Sequence, residues 1–322
     1  MSQTADAFIL IADEAAAGLR IDAYLTRELP RWSRSYIASL ILEGRIRVGQ
    51  KPTKPGYRLR PGDEITGEIP VARPAECLPE PIPLDILYQD EDLLVLNKPA
   101  GLVVHPAPGH PSGTLVNALL HHCPDLAGIA GEIRPGIVHR LDKDTTGLLV
   151  AAKNAEAQAG LAAQFRLRRI RKRYLAIVHG RMEAHEGNIV MPIGRHPVDR
   201  LRMSTVTKSG KTAETRWLLR ESFEQASLVE VDLLTGRTHQ IRVHFSAIRH
   251  PVVGDPLYGP KHPLFGTGEL RRCLQTIQRQ MLHAWQIRFT HPGSGLEMRF
   301  TAPLPFDMDQ LLQALRNTSP GE

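Results

Sequence analysis

The chain has little cysteine, few aromatic residues and no long apolar run. Its three cysteines, Cys77, Cys123 and Cys273, stand far apart among 322 residues, and no CxxC pair occurs. This disfavours a zinc ribbon or a disulfide framework and suits a reducing compartment. Aromatic residues make up only 5% of the chain, so we expect a mainly aliphatic core.

No segment approaches the ~20 apolar residues that a membrane helix needs. The first residues, MSQTADAFILIADEAAAG, lack the basic start and apolar centre of a signal peptide. Hydrophobic residues make up 42% of the chain, as in folded globular proteins. We therefore expect a soluble, cytoplasmic monomer with no membrane partner, long enough to hold two domains.

The charge balance favours a polyanionic partner. Lys and Arg outnumber Asp and Glu by 40 to 34, and the sequence pI is about 9.4. Such a bias points to nucleic acid first and to an anionic membrane second. The densest basic run, residues 166–173, holds six Lys or Arg and no acid, and we place it at the end of a helix. The helix dipole accounts for one or two of these cations, so the run predicts phosphate contacts, with Arg169 and Lys172 as candidates.

Proline divides the chain. Residues 70–83 contain five prolines in fourteen positions, which is typical of an extended linker. We therefore predict an N-terminal extension at 1–17, a small domain at 18–70, a linker at 71–83 and a large domain at 84–315.

The small domain has the pattern of two short helices followed by a strand pair with turns at Gly49–Gln50 and Pro61–Gly62. Its helices, with the stretch LEGRIRVGQKPTKPGYRLRPGDEI, resemble an S4-type RNA-binding domain. That resemblance implies a small α/β domain that binds RNA phosphates. Arg34, Arg45 and Lys51 are candidate contacts on its basic face, although charge alone fits an ordinary solvated surface equally well.

The large domain mixes strands and helices without a regular βαβ rhythm, and hairpin turns are common. This favours an α+β fold around a mixed, mainly antiparallel central sheet. The stretch GIVHRLDKDTTGLLVAAKN, residues 136–154, is predicted as a strand, a polar loop and a strand. The loop suits either a solvated hairpin or an active site. A carboxylate such as Asp142 can attack the sugar carbon of a glycosidic bond if a neighbouring cation keeps it ionised.

A second polar segment, TGRTHQIRVHFSAIRHPVVGDPLYG, covers residues 235–259. It places Arg237, His239, Arg242, His244 and Asp255 within an apolar frame. The two histidines are five positions apart, and HExxH spacing is absent, so a zinc site is disfavoured. The arginines could pair with a carboxylate or a phosphate.

These motifs resemble the large-subunit ribosomal RNA pseudouridine synthases. GIVHRLDKDTTGLLVAAKN is similar to their HRLDxxTSGL signature, with Thr146 where Ser is common. NKPAGLVVHP, KRYLAIVHG and LLTGRTHQIRVHF resemble three further motifs in the same order. The resemblance spans residues 18–305, and the S4-like domain ahead of this core is typical of the synthase D subgroup, which modifies a stem-loop of large-subunit (23S) rRNA.

The resemblance implies the site residues and the reaction. Asp142 corresponds to the catalytic aspartate that attacks the target uridine, and Arg140 to the residue that replaces the flipped base in the RNA. Tyr174 corresponds to the tyrosine that stacks on the uracil and helps remove the C5 proton. Arg242 corresponds to the cation paired with the aspartate, with Arg237 as an alternative, and Lys98 has a positioning role. Uridine isomerisation requires no cofactor and no metal.

Three points stay open at this level. Attack at the sugar C1′ and attack at uracil C6 are both compatible with the motifs. An RNA-binding ribosome assembly factor without catalysis would share the basic surfaces, and a metal-dependent RNA hydrolase is a third alternative. The substrate could be free rRNA or an assembling subunit.

Overall fold

The computed structural model describes residues 6–29, 34–69, 77–106, 109–124, 126, 136–199, 201–207, 209–260 and 265–318. The chain divides into two compact units, Met1–Glu76 and Cys77–Glu322, each with its own hydrophobic core. Among the described residues, no helix is both long and apolar enough to cross a membrane.

The small unit combines a sheet with two helices. Its elements are β1 (Asp6–Ile11), α1 (Ile21–Glu28), α2 (Arg34–Leu42), β2 (Ile46–Val48), β3 (Lys51–Pro52) and β4 (Glu64–Ile69). The described strands pair antiparallel in the order β1-β4-β2-β3. The predicted pair of helices and the turn at Gly49–Gln50 are confirmed.

The predicted N-terminal extension, residues 1–17, is wrong for its described part. Strand β1 pairs with β4 along its whole length, from Asp6 opposite Ile69 to Ile11 opposite Glu64. Phe8 and Leu10 pack against the core of the small unit. The alternation of these apolar side chains is the signal that places this segment in the sheet.

The described part of the proline-rich segment, residues 77–83, is not a separate linker. Residues 70–76 lie outside the described residues. Cys77 and Ile82 pack against the core of the large unit, and the Glu80 backbone N–H donates to the Asn117 carbonyl at 3.0 Å. The second half of the predicted linker, residues 77–83, therefore belongs to the large unit.

The large unit is built on one twisted sheet. Its elements are β5 (Ile86–Gln89), β6 (Leu93–Lys98), α3 (Leu115–His122), β7 (Thr146–Ala152), α4 (Ala155–Arg166), β8 (Arg171–His179), β9 (Glu186–Val190), β10 (Gly194–Arg195), β11 (Met203–Ser204), β12 (Glu214–Ser222), β13 (Ala226–Leu233), α5 (Gln240–Ala247), α6 (Gly268–Thr276), β14 (Leu282–Thr290), β15 (Glu297–Thr301) and α7 (Phe306–Thr318).

Nine of the described strands form the main sheet, in the order β5-β6-β7-β14-β8-β13-β12-β9, with β15 paired to β14. Its neighbours are antiparallel except for β7 and β14. Strands β10 and β11 form a separate hairpin. The predicted α+β class with a mixed, mainly antiparallel sheet is confirmed.

Strands β6 and β7 are buried on both faces, which explains their continuous apolar sequence. Leu94 and Leu96 of β6 belong to the cluster that includes α3, whereas Leu93 and Val95 belong to the cluster that includes α4. The sheet therefore holds the loop that precedes β7 on a rigid base.

The parallel pairing of β7 with β14 requires a glycine at position 147. Gly147 has φ +108°, and a Cβ there would lie 2.3 Å from the Ala284 carbonyl oxygen. No side chain could occupy that space without moving the backbone of β14. The glycine thus lets β14 approach the strand that follows the candidate catalytic loop.

Two predictions of secondary structure need correction. The first strand predicted in residues 136–154 is reduced to one bridge between Ile137 and Ala151, because the His139 ring accepts the Val150 N–H at 3.0 Å. The basic run is not all helical either. Helix α4 ends at Arg166, Arg168 takes a left-handed φ of +56°, and β8 begins at Arg171.

Candidate active site

A cleft of about 750 Å³ lies in the large unit. The loop before β7, the turn between α4 and β8, and the segment from β13 into α5 form its walls. The residues predicted for the site that line it are Arg140, Asp142, Lys172, Tyr174 and Arg242. Residues from three separate parts of the sequence therefore converge on one space.

Lys98 and Arg279 hold the loop that carries Asp142 by donating to two of its backbone carbonyls. Lys98 is fully buried, and its Nζ donates to the carbonyls of Pro99 at 2.7 Å, Leu102 at 3.0 Å and Lys143 at 2.9 Å. Arg279 donates to the Asp144 carbonyl at 3.4 Å, and the Thr145 N–H donates to the Asp142 carbonyl at 3.1 Å. The carboxylate of Asp142 therefore projects from a fixed turn.

Burial lowers the pKa of Lys98 to about 7, although the charges of Asp144 and Asp142 favour its protonated form. Three carbonyl acceptors also match the three N–H donors of an ammonium group. This geometry supports the positioning role predicted for Lys98.

The substitution Lys98→Met is expected to destabilise the large unit by about 2–5 kcal/mol, because three backbone carbonyls lose a buried donor while the apolar stem is kept. Urea unfolding of the full chain measures the loss. Lys143→Met, on the exposed neighbour whose carbonyl receives the bond, is the matched control. Equal stability of the two variants would contradict the positioning role.

Arg242 joins two carboxylates. Its NH1 donates to Oδ2 of Asp142 at 3.0 Å, while Nε and NH2 donate to Asp255 at 2.6 and 2.9 Å. Burial opposes the charge of Arg242, but its bonds to Asp255 and Asp142 raise its pKa above the ordinary value. The Arg242 side chain is 4% exposed and that of Asp142 is 16% exposed, so a buried cation fixes a carboxylate that still faces the cleft.

Arg237 takes a different position from Arg242. It lines the cleft, but its Nε donates to the Thr212 carbonyl at 3.2 Å. Of the two arginines that the sequence left open, Arg242 is therefore the one that contacts Asp142 in the structure.

Tyr174 of β8 is buried at the base of the cleft and is 5% exposed. Burial, with a smaller contribution from the charge of Asp142, raises its pKa above the ordinary range. The side chain is consequently a neutral phenol at pH 7. A neutral aromatic ring suits stacking against a base.

His139 of the signature has a structural role. Its ring stacks on Phe165 with centroids 4.7 Å apart, and burial, then the charge of Lys172, lowers its pKa to about 3. The hydroxyl of Thr146 lies 2.9 Å from Nδ1 of His283. Both residues pack the loop against the sheet, and His139 also lines the cleft.

Tyr258 and His239 extend the site beyond the residues that sequence reasoning assigned roles. The Tyr258 ring lies 5.2 Å from the Arg242 guanidinium carbon, and its hydroxyl lies 2.9 Å from Nδ1 of His239. The sequence marks His239 as one polar residue in an apolar frame, but Tyr258 carries no such signal.

Some residues of the basic run, 166–173, line the cleft, and others lie outside it. Arg166, Arg168, Arg171 and Lys172 line the cleft, whereas Arg169 is exposed outside it. Lys172 is half-buried over the Phe165 ring, and burial lowers its pKa to about 8 against the raising effect of Asp232. Five described residues of the run thus remain available as cations on or beside the cleft.

The predicted basic residues of the small unit are exposed. Arg34 lies 3.1 Å from Asp22 and Arg45 lies 3.3 Å from Glu43, with both arginine side chains about half exposed. Lys51 is exposed on β3. The Arg45–Glu43 pair is exposed on both sides and contributes little to stability, whereas Arg34 contacts the buried carboxylate of Asp22. Among the described residues, no group of three or more His, Cys, Asp or Glu is placed to hold a metal ion.

Both units of the chain are similar to known proteins. Residues 92–247 match the family model described as RNA pseudouridylate synthase, and residues 19–65 match the S4 domain model. The chain is 45% identical to ribosomal large subunit pseudouridine synthase D of Nitrosomonas europaea, over 96% of this chain and 88% of that protein. It is also 45% identical to an uncharacterized RNA pseudouridine synthase of Bacillus subtilis, over 95% and 97% of the two chains.

Two solved human structures are also similar to this chain. The human RNA pseudouridylate synthase domain containing 4 structure superposes with a TM-score of 0.57 at 28% identity, covering 72% of this chain and 92% of that one. The human domain containing 1 protein gives 0.55 at 29% identity, covering 74% and 97%.

Proposed function

The chain belongs to the RNA pseudouridylate synthase family and is an RNA pseudouridine synthase, and we propose that it converts uridines of large-subunit rRNA to pseudouridine with Asp142 as the nucleophile. The contact of Arg242 with Asp142 inside the cleft carries this proposal. Its substrate assignment is supported by the name of the Nitrosomonas relative and by the S4 match.

The target base must leave its stack to reach Asp142. A cleft of about 750 Å³ falls within the range that encloses small ligands, so it can accept a flipped nucleotide. Arg140 lies on the exposed side of the cleft, two residues before Asp142. We assign it to the gap that the flipped base leaves in the RNA.

The proposed reaction is an isomerisation of uridine. A carboxylate oxygen of Asp142 bonds to C1′ while the C1′–N1 bond breaks, and its electron pair stays on the uracil. The uracil turns within the cleft, C5 bonds to C1′, and the carboxylate leaves. The C5 proton is lost and N1 gains a proton, so no atom enters or leaves overall. Attack at uracil C6 is the alternative first step.

Arg242 and Tyr174 have different roles in the proposed reaction. Arg242 holds the carboxylate of Asp142 in a fixed orientation. Tyr174 stacks on the uracil while it turns. Its raised pKa disfavours a phenolate, so proton removal from C5 by Tyr174 is the weaker half of the assignment made from the sequence.

Phosphate contacts come from both units. Arg169 and Lys172 belong to the cleft side, and Arg34, Arg45 and Lys51 to the small unit. A stem-loop of rRNA, free or in an assembling subunit, would engage both sets. We infer that the enzyme acts as a monomer in the cytoplasm, where ribosomes are assembled.

Tritium release tests the substrate. Each conversion replaces the uridine C5–H bond by a C–C bond, so transcripts carrying tritium at C5 release it into water. We expect release from large-subunit rRNA and none above background from small-subunit rRNA or tRNA. Release from one of those RNAs alone would contradict the proposed substrate.

A further inference from the structure

His239 approaches the same oxygen of Asp142 that Arg242 binds. Its Nε2 lies 3.9 Å from Oδ2, while NH1 of Arg242 lies 3.0 Å from that atom. A separation of 3.9 Å exceeds a hydrogen bond, but contacts of this kind commonly shorten when substrate binds. Both donors therefore approach Oδ2, which leaves Oδ1 of Asp142 as the candidate for the attack.

Tyr258 determines which nitrogen of His239 carries the proton. Its hydroxyl oxygen accepts the Met203 N–H at 2.7 Å and lies 2.9 Å from Nδ1 of His239. A buried phenolic proton needs an acceptor, and Nδ1 is in place to accept it. The neutral imidazole then carries its own proton on Nε2, the atom that faces Asp142.

The surrounding structure fixes this arrangement. Tyr258 packs beside Arg242, and its backbone N–H donates to Oδ1 of Asp255 at 3.0 Å. His239 has a left-handed φ of +55° at the start of α5. Such a conformation is unfavourable for a residue with a side chain and is characteristic of functional positions.

We propose that His239 is a positioning residue that, together with Arg242, holds Oδ2 of Asp142 so that Oδ1 attacks C1′. The inference rests on the proposed function, because it specifies the oxygen and the second donor of that attack. In this step the Oδ1–C1′ bond forms, the C1′–N1 bond breaks, and the electron pair remains on the uracil. Tyr258 acts through His239 by fixing its tautomer.

A pair of variants separates positioning from folding. The amide nitrogen of His239→Gln can reach Oδ2 as Nε2 does, whereas the shorter side chain of His239→Asn can bond Tyr258 but not Asp142. We expect kcat of the Asn variant to fall by about 10- to 100-fold with KM within about threefold. The Gln variant should stay within about threefold of wild type, as should His185→Gln, a control on an exposed histidine.

A second variant and the pH profile add readouts that a packing role would not change. Tyr258→Phe keeps the ring beside Arg242, and its loss of kcat should not add to that of His239→Asn. Burial lowers the pKa of His239, while Asp142 and Asp255 raise it and Arg242 and Arg140 lower it. Protonation at low pH would displace the Tyr258 proton, so the acid side of the kcat profile should differ between wild type and the Gln variant.

Equal kcat in the Asn variant and wild type would overturn the inference, and so would equal losses in the Asn and Gln variants. Thermal unfolding of every variant shows whether the fold is kept. Failure of the underlying function is a different result, namely no product from wild type or undiminished product from Asp142→Asn, and it would remove the inference with it.

Discussion

Replacing Asp142 by Asn is expected to reduce pseudouridine formation by at least about 10⁴-fold while RNA affinity stays within about threefold. An amide cannot form the bond to C1′, so covalent attack is lost. The side chain keeps its size, and its amide oxygen can still accept the bond from Arg242. Loss of one negative charge near the phosphates should leave binding equal or slightly tighter.

Single-turnover kinetics with saturating enzyme measure this loss without a contribution from binding. Asp144→Asn is the matched control, because Asp144 lies two residues away in the same loop but does not line the cleft. It should retain activity within about threefold. An Asp142→Asn variant that forms product at a rate near that of the control would remove Asp142 as the nucleophile.

Replacing Arg242 by Lys is expected to lower kcat by about 10²- to 10³-fold. Lysine keeps the charge, but its single ammonium cannot reproduce the two bonds to Asp255 and the third to Asp142. The carboxylate of Asp142 would then lose its fixed orientation. Steady-state kinetics should place the loss in kcat more than in KM.

Arg237→Lys is the control for the arginine substitutions, because Arg237 contacts the Thr212 carbonyl instead of a carboxylate. We expect it to stay within about threefold of wild type. Arg242→Gln adds a stability readout. It leaves the fully buried side chain of Asp255 without a cation, which should cost about 3–5 kcal/mol in urea unfolding. Equal kcat in Arg242→Lys and Arg237→Lys would contradict the role of Arg242.

The sequence indicates the candidate reactive residues of the site more clearly than the residues that hold them in place. Asp142 and Arg242 are indicated by the resemblance of their motifs to one family, although they lie 100 residues apart. The burial of Lys98 and the contacts of Tyr258 have no such signal. Each depends on loops that the sheet brings together, and a tyrosine or lysine near a turn looks the same whether it is solvated or buried.

The errors in secondary structure also have physical causes. The end of the basic run belongs to β8, although its sequence favours a helix. Ile170, Lys172 and Tyr174 alternate with exposed charged residues, and this period of two is hard to recognise among so many cations. The strand predicted before Asp142 is absent because a side chain, His139, takes the Val150 N–H. The strand predicted after the Asp142 loop is confirmed as β7, since its apolar pattern is continuous.

Mapping pseudouridine at single-nucleotide resolution in unmodified large-subunit rRNA tests together the proposed substrate and the role of Asp142 as the nucleophile. The RNA is incubated with wild type, with Asp142→Asn or with Asp144→Asn. We expect the same new pseudouridines with wild type and Asp144→Asn, and none with Asp142→Asn. New pseudouridines with Asp142→Asn at those positions, or none with wild type, would contradict it, and the second result would favour an RNA-binding assembly factor.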